Sequence, residues 1–156
     1  MSELSSPRRG AAWPDVADAV RRTMRANKGR DTIPEKSLRS AVHAAGYRFR
    51  VHVRGLPGTP DIALPARRKA VWMHGCFWHA HPGCRFATVP RTRVDYWVPK
   101  LARNRERDAD HAARLLAMGW DTMVVWECEM KDVASVVHRV GRFLGPPRLS
   151  RKGGSS

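Results

Sequence analysis

Acidic residues are scarce in this chain. Of 156 residues only 14 are Asp or Glu, against 29 Lys or Arg, for a formal net charge of +15. That imbalance excludes an ordinary solvated surface and argues for a polyanionic partner, held largely by release of counterions from phosphates. Arg dominates over Lys, which favours bidentate contacts to phosphates and bases. Cysteine is scarcer still, with three residues. An odd number in a reducing compartment argues against disulfides and leaves metal ligation or inert thiols. Nowhere is there an apolar run long enough to span a bilayer, and Met1 to Pro14 has no apolar signal-peptide region, so a cytoplasmic protein is expected. No long apolar amphipathic helix supports binding to an anionic membrane. The length suits one domain with a real core, and no internal repeat is evident.

Read in order, residues 1–14 form a Ser-, Pro- and Arg-containing tail, 15–145 a single domain, and 146–156 a second tail. Val16, Val20 and Met24 repeat every four residues and predict a helix from Asp15 to Lys28, with Arg21, Arg22 and Arg25 on its other face. Thr32 is the expected N-cap of the next helix, with Pro34 in its first turn and Glu35 completing a capping box. Leu38, Val42 and Ala45 mark its apolar face and Gly46 its stop. Alternation from Tyr47 to Val53 predicts a strand with one wet face. Two short strands follow, Asp61 to Leu64 and Lys69 to Met73, joined by a turn over Pro65 to Arg68. Arg91 to Met118 is helical in pattern but interrupted by Pro99: a first helix is expected around Val94 to Arg103, bent by Pro99, then a longer one to Met118 with Gly119 as the stop. Asp121 to Trp126 is apolar on both faces and is expected to be the central strand. Val133, Val136, Val137, Val140 and Leu144 predict a last amphipathic helix. The predicted fold is α/β in three layers, with helices on both sides of a small mixed sheet.

One run stands apart from this pattern. His74-Gly75-Cys76-Phe77-Trp78-His79-Ala80-His81-Pro82-Gly83-Cys84 holds three of the seven histidines and two of the three cysteines. Cys76, His81 and Cys84, with Cys128 from the end of the last strand, make three thiolates and one imidazole, the donor set of a closed structural Zn²⁺ site. The bland alternative is three small buried thiols, and His79, His74 or His43 could replace His81. Asp61 is the candidate ligand for a catalytic Mg²⁺, since it enters a rigid strand after a Gly/Pro loop; it could equally cap that loop. Antiparallel pairing of the two short strands brings Asp61 and His74 to the same end. An imidazole titrates near working pH, so His79 could move a proton for a water attacking a phosphodiester, with His74 orienting that water or a phosphate oxygen. Each alone is more often a structural histidine. Phe77 and Trp78 are either core or a wedge that enters a base step.

These residues resemble the very-short-patch repair (Vsr) endonucleases. The resemblance rests on Asn27–Glu35 with Met24 just upstream, Leu56-Pro57-Gly58-Thr59-Pro60-Asp61, His74-Gly75-Cys76-Phe77-Trp78-His79, Asn104-Arg105-Glu106-Arg107-Asp108 and Val125-Trp126-Glu127-Cys128, in the family's order. It implies a restriction-endonuclease-like fold and a strand-specific nick 5′ to the T of a T:G mismatch. It also implies that Asp61 and the Met73 backbone carbonyl bind Mg²⁺, with His79 as general base or acid, His74 its partner and Glu35 a hydrogen-bonding support. Cys76, His81, Cys84 and Cys128 would hold the Zn²⁺, and Met24, Phe77 and Trp78 would enter the helix beside the mismatch. The expected partner is mismatched double-stranded DNA at the nucleoid, with other mismatch-repair proteins nearby and the chain acting as a monomer. Where most nucleases carry Glu-x-Lys after the Asp, this sequence has Trp72-Met73-His74, a departure that this family shares. Two alternatives remain: a zinc-stabilised DNA-binding module without chemistry, and a sequence-specific nuclease of a restriction system.

Overall fold

The computed structural model describes residues 31–148. The helix expected from Asp15 to Lys28, Met24 within it and the tail 1–14 lie outside the described residues, as does 149–156. Three strands form one mixed sheet in the order β1 (Ile62–Leu64), β2 (Lys69–His74), β3 (Asp121–Trp126). β1 runs antiparallel to β2, with Ile62 opposite Val71, and β2 runs parallel to β3, with His74 opposite Trp126.

Side-chain alternation along these strands creates two cores. Ile62, Leu64, Val71, Met73 and Val125 point to one face, where Leu38 and Val42 of α1 (Ile33–Ala44) and Val136, Val140 and Leu144 of α3 (Val133–Leu144) cover them. Ala63, Ala70 and Trp72 point to the other face and pack with Leu115 of α2 (Val94–Ala117) and Trp120. Each fully buried aliphatic side chain contributes about 1.5–3 kcal/mol. The three-layer α/β arrangement expected from the sequence is therefore present. Among the described residues, no helix is long and apolar enough to cross a membrane.

Four local expectations need correction. The segment Tyr47 to Val53 is not a strand; it touches the sheet at one bridge, Arg50 opposite Ala63. Tyr47 and Phe49 do point into the core, but His52 takes a positive φ of 51° and ends the extended run. Secondly, among the described residues β3 is an edge strand, and β2 is central. An apolar run reports cover on both faces, which β3 has, and not the number of strand neighbours. Thirdly, the two helices expected between Val94 and Met118 are one: α2 runs unbroken for 24 residues, through Pro99 and past Arg103. The proline's missing N–H and ring cost about 3 kcal/mol in a helix interior; burial of Trp97 and Leu101 on either side holds the helix across it. Finally, Ala45 is exposed beyond the end of α1.

The predicted stops are as expected. Gly46 and Gly119 have φ of 101° and 82°. After α2, Gly119 N–H donates to Leu116 and Trp120 N–H to Leu115, the double bond of a Schellman motif, and the Trp120 and Leu115 side chains pack together. Gly58, at φ 75°, lets the loop before β1 pass close to α2: a Cβ there would lie 2.8 Å from His111 Nδ1. The Trp72 indole also ties this loop down by donating to the Gly58 carbonyl at 3.2 Å. The loop delivers Asp61 to the sheet.

Candidate active site and metal centre

Asp61 stands at the mouth of β1, where its N–H donates to the Val71 carbonyl at 3.0 Å. Its carboxylate folds back onto β2: Oδ2 accepts the Met73 N–H at 2.6 Å. Oδ1 accepts from Arg39 Nη2 at 3.3 Å, and Arg39 also lies 3.6 Å from Glu35. Burial pushes the Asp61 pKa up to about 6; the Met73 N–H opposes this, the Glu35 charge adds to it and Arg39 opposes it. A divalent cation at Asp61 would favour the ionised form.

One residue beyond Met73, His74 ends β2 and is buried. Its ring stacks on that of His79, with centroids 3.9 Å apart and planes 5° off parallel. Burial first, then the His79 charge, drives the His74 pKa down to about 4, against a smaller opposing effect of Asp108. His74 is thus neutral at neutral pH. His79 Nδ1 is 2.6 Å from Asp108 Oδ2, a residue of α2. Burial acts to raise Asp108, but the His79 hydrogen bond and the nearby imidazole charges outweigh it, so its carboxyl titrates below the ordinary value. An ionised Asp108 makes Nδ1 the protonated nitrogen and leaves Nε2 as the acceptor. The result is a base held by a carboxylate, the geometry of a proton-transfer pair.

His74, His79 and Asp108 also bring three ligand atoms close together. In that cluster, however, Asp108 and His79 already satisfy each other. Asn104 Nδ2 donates to the Trp78 carbonyl at 2.9 Å and fixes the loop that carries His79. Phe77 and Trp78 are half-buried beside Trp97 of α2, with ring centroids 5.2 and 5.9 Å from it.

The second cluster joins Cys76, His81, Cys84 and Cys128, whose ligand atoms all lie within 4.8 Å of one another. Zinc bound tetrahedrally at about 2.3 Å from sulfur needs ligands roughly 3.8 Å apart, so this set fits with small adjustments. Among the candidate imidazoles, His81 is the one brought to the cysteines; His74 and His79 belong to the first cluster, and His43 lies exposed on α1. His81 stacks on Trp126 with centroids 4.1 Å apart. Burial drives the Cys76 thiol up to about 12, with the Cys128 N–H opposing and the neighbouring thiols adding to the rise. A thiolate there calls for a cation. The 3-10 turn Glu127–Asp132 that carries Cys128 is braced by Glu129, which accepts the Trp126 N–H at 2.9 Å and two Arg139 bonds at 2.7 and 2.6 Å. Those bonds hold the Glu129 carboxyl below its ordinary range.

Asp108, Arg39, Asn104 and Trp97 were not singled out as site residues by reasoning on the sequence. Asp108 and Asn104 lie inside Asn104-Arg105-Glu106-Arg107-Asp108, a segment that carries the family resemblance, which is the signal for them; Arg39, at i+4 from Glu35, has only its spacing as a signal. For the nuclease that the resemblance implies, Asp108→Asn should lower nicking on the order of 10²-fold, because His79 would lose the group that fixes its tautomer. The check is a single-turnover rate on a nickable duplex with the melting temperature measured alongside; an unchanged rate would remove Asp108 from the site.

Known proteins resemble this chain over most of its length. The profile of the family described as DNA mismatch endonuclease Vsr matches residues 14–85. A type II nicking enzyme, V.XorIIP, of Xanthomonas oryzae is 49% identical, over 76% of this chain and 87% of its own length. The DNA mismatch endonuclease Vsr of Escherichia coli is 42% identical, over 75% of this chain and 76% of its own. The nicking enzyme V.NaeI of Lentzea aerocolonigenes is 41% identical, over 80% and 78%. With relatives of that identity aligned along most of their own length, the chain belongs to the Vsr family of DNA mismatch endonucleases.

Proposed function

We propose that this endonuclease is Mg²⁺-dependent and hydrolyses the phosphodiester 5′ to the T of a T:G mismatch in double-stranded DNA. The observation that carries the reading is one continuous arrangement. Asp61 accepts the N–H of Met73, the next residue is His74, and His74 stacks on the His79 that Asp108 holds. In an extended strand the N–H and C=O of one residue leave on the same side. The Met73 carbonyl therefore faces the Asp61 side, and the two oxygens suit a hard cation such as Mg²⁺. When bound, that ion supplies charge neutralisation at the phosphate.

His79 Nε2 takes the proton of the attacking water as its oxygen bonds to phosphorus; the ester P–O bond opposite the attack breaks, and the departing sugar oxygen takes a proton from water. Asp108 keeps Nδ1–H oriented and stabilises the imidazolium that forms. His74, neutral and packed on His79, orients the water, and Glu35 supports Asp61 through the Arg39 contact. Phe77 and Trp78, backed by Trp97, enter beside the mismatch, with Met24 from the other groove. A T:G wobble unstacks at lower cost than a paired step, which makes the mismatch recognisable. Zn²⁺ on Cys76, His81, Cys84 and Cys128 is structural. A restriction-endonuclease-like fold, a monomer in the cytoplasm at the nucleoid, and other mismatch-repair proteins as partners complete the proposal.

Family membership sets aside the module without chemistry. The relatives named nicking enzymes favour one second reading, a nuclease tied to a restriction system with a sequence-specific target. A duplex panel separates the two. Nicking of a T:G duplex and not of its matched control, with Mg²⁺ and not without, is the expected result. Equal nicking of matched unmodified DNA would select the second reading, and no Mg²⁺-dependent nicking of either would defeat both.

A further inference from the structure

Trp126 ends β3 opposite His74 at the end of β2, and parallel pairing puts the two side chains on one face of the sheet. Its backbone is fixed there: the N–H donates to Glu129 Oε2 at 2.9 Å, and Arg139 donates two bonds to that carboxylate. The indole is part of neither apolar core; among the described residues the rings it meets are those of two histidines. One is His81, stacked on it with centroids 4.1 Å apart and planes 10° off parallel. The other is His74, edge-on at 5.3 Å and 74°. His74 in turn stacks on His79 at 3.9 Å, and His81 Nδ1 lies 3.5 Å from Cys128 Sγ. Four rings thus run in unbroken contact from the imidazole held by Asp108 to the imidazole among the cysteines. The backbone is strained where these two imidazoles part. Ala80 alone separates His79 from His81, and it takes a positive φ of 49°, a conformation unfavourable for a residue with a Cβ; the two rings go to different clusters.

We propose that Trp126 is a positioning residue shared by both centres: its indole sets the ring of the zinc ligand His81 and, through His74, that of the base His79. The second torsion of a histidine is broad, so its ring is held by what lies against it. The loop that carries His79 and His81 buries little, whereas Trp126 stands on a strand end and offers a fixed wall. A zinc-bound imidazole also shares the ion's charge, which a tryptophan face favours. The inference rests on the readings of His81 as a zinc ligand and of His79 as the base.

The test uses the zinc-loaded full chain and reads the rate at which zinc passes to a colorimetric chelator. It also reads the single-turnover nicking rate at saturating protein, with zinc confirmed bound, on a duplex that the parent nicks. Trp126→Leu should give up zinc on the order of tenfold faster and nick on the order of tenfold more slowly, as expected for loss of a group that orients metal ligands. Trp126→Phe, which keeps a ring, should recover most of both. If the leucine variant fails to fold, Trp126→Met gives the same readings. A folded leucine or methionine variant that holds zinc as the parent does, or that nicks at the parent rate, would overturn the proposal. Losses that the phenylalanine variant shares in full would overturn it too. A parent that binds no zinc, or that nicks no duplex, would sink the underlying readings of His81 or His79 and this inference with them.

Discussion

Asp61→Asn should reduce the nicking rate by roughly a thousandfold or more while the protein stays folded. An Asn oxygen can still accept the Met73 N–H, so the anchor to β2 can survive. What is lost is the anionic ligand, and metal-derived charge stabilisation is worth several kcal/mol, at about 1.4 kcal/mol per tenfold in rate. The pH dependence gives the same substitution a second signature. Asp61 titrates near 6 when folded, against an ordinary 3.8. An acid whose folded value lies above its unfolded value binds its proton more tightly in the native state. In metal-free protein its contribution to stability therefore declines as pH rises from about 4 through about 6. Mg²⁺ binds the ionised form, so it should raise the melting temperature at about pH 7.5 and do little at about pH 5. Asp61→Asn, neutral at both, should show no Mg²⁺ effect at either. A parent whose melting temperature ignores Mg²⁺ at the higher pH would contradict the assignment of Asp61.

Removal of zinc should be the other large effect. The full chain should carry about one zinc, and chelation should abolish nicking, with recovery when Zn²⁺ is returned. The reason is where the four ligands sit. Cys76, His81 and Cys84 lie on the loop after β2, and Cys128 on the turn after β3, so one ion ties together the ends of two parallel neighbours. His79 lies between Cys76 and His81. The stretch from Gly75 to Arg93 buries little: of its residues only Cys76 is fully buried, and Phe86 is 57% exposed. Structural zinc contributes about 10–16 kcal/mol to small metal-organised folds, comparable with the 5–15 kcal/mol that stabilises a whole domain. The sheet core has its own apolar packing and should keep its secondary structure, whereas the loop should lose its shape and take His79 away from Asp108. Cys128→Ser should reproduce the chelated state. Full nicking by protein shown to be metal-free, with all three thiols open to modification, would refute the structural role.

Several elements were legible in the sequence because their causes are local. The amphipathic periods of α1 and α3, the glycine stops at Gly46 and Gly119, and the apolar strand β2 each follow from residues within a few positions of one another. The strand expected over Tyr47 to Val53 shows the limit of such reasoning. Its alternation is real and Tyr47 is buried, but a strand also needs a neighbour along its length, and β1 is only three residues long. Pro99 shows the converse, a local breaker overruled by packing on both sides.

By itself the sequence determined the excess of positive charge, the donor types crowded between His74 and Cys84, and the juxtaposition of Asp61 with the end of β2. The tertiary structure alone decided that His81 joins the cysteines, that Asp108 reaches His79 from 29 residues away, and that Arg39 stands between Glu35 and Asp61. Spacing encodes neighbours on one helix or strand, but a contact between elements depends on how each packs against the sheet, and no short stretch of sequence carries that information.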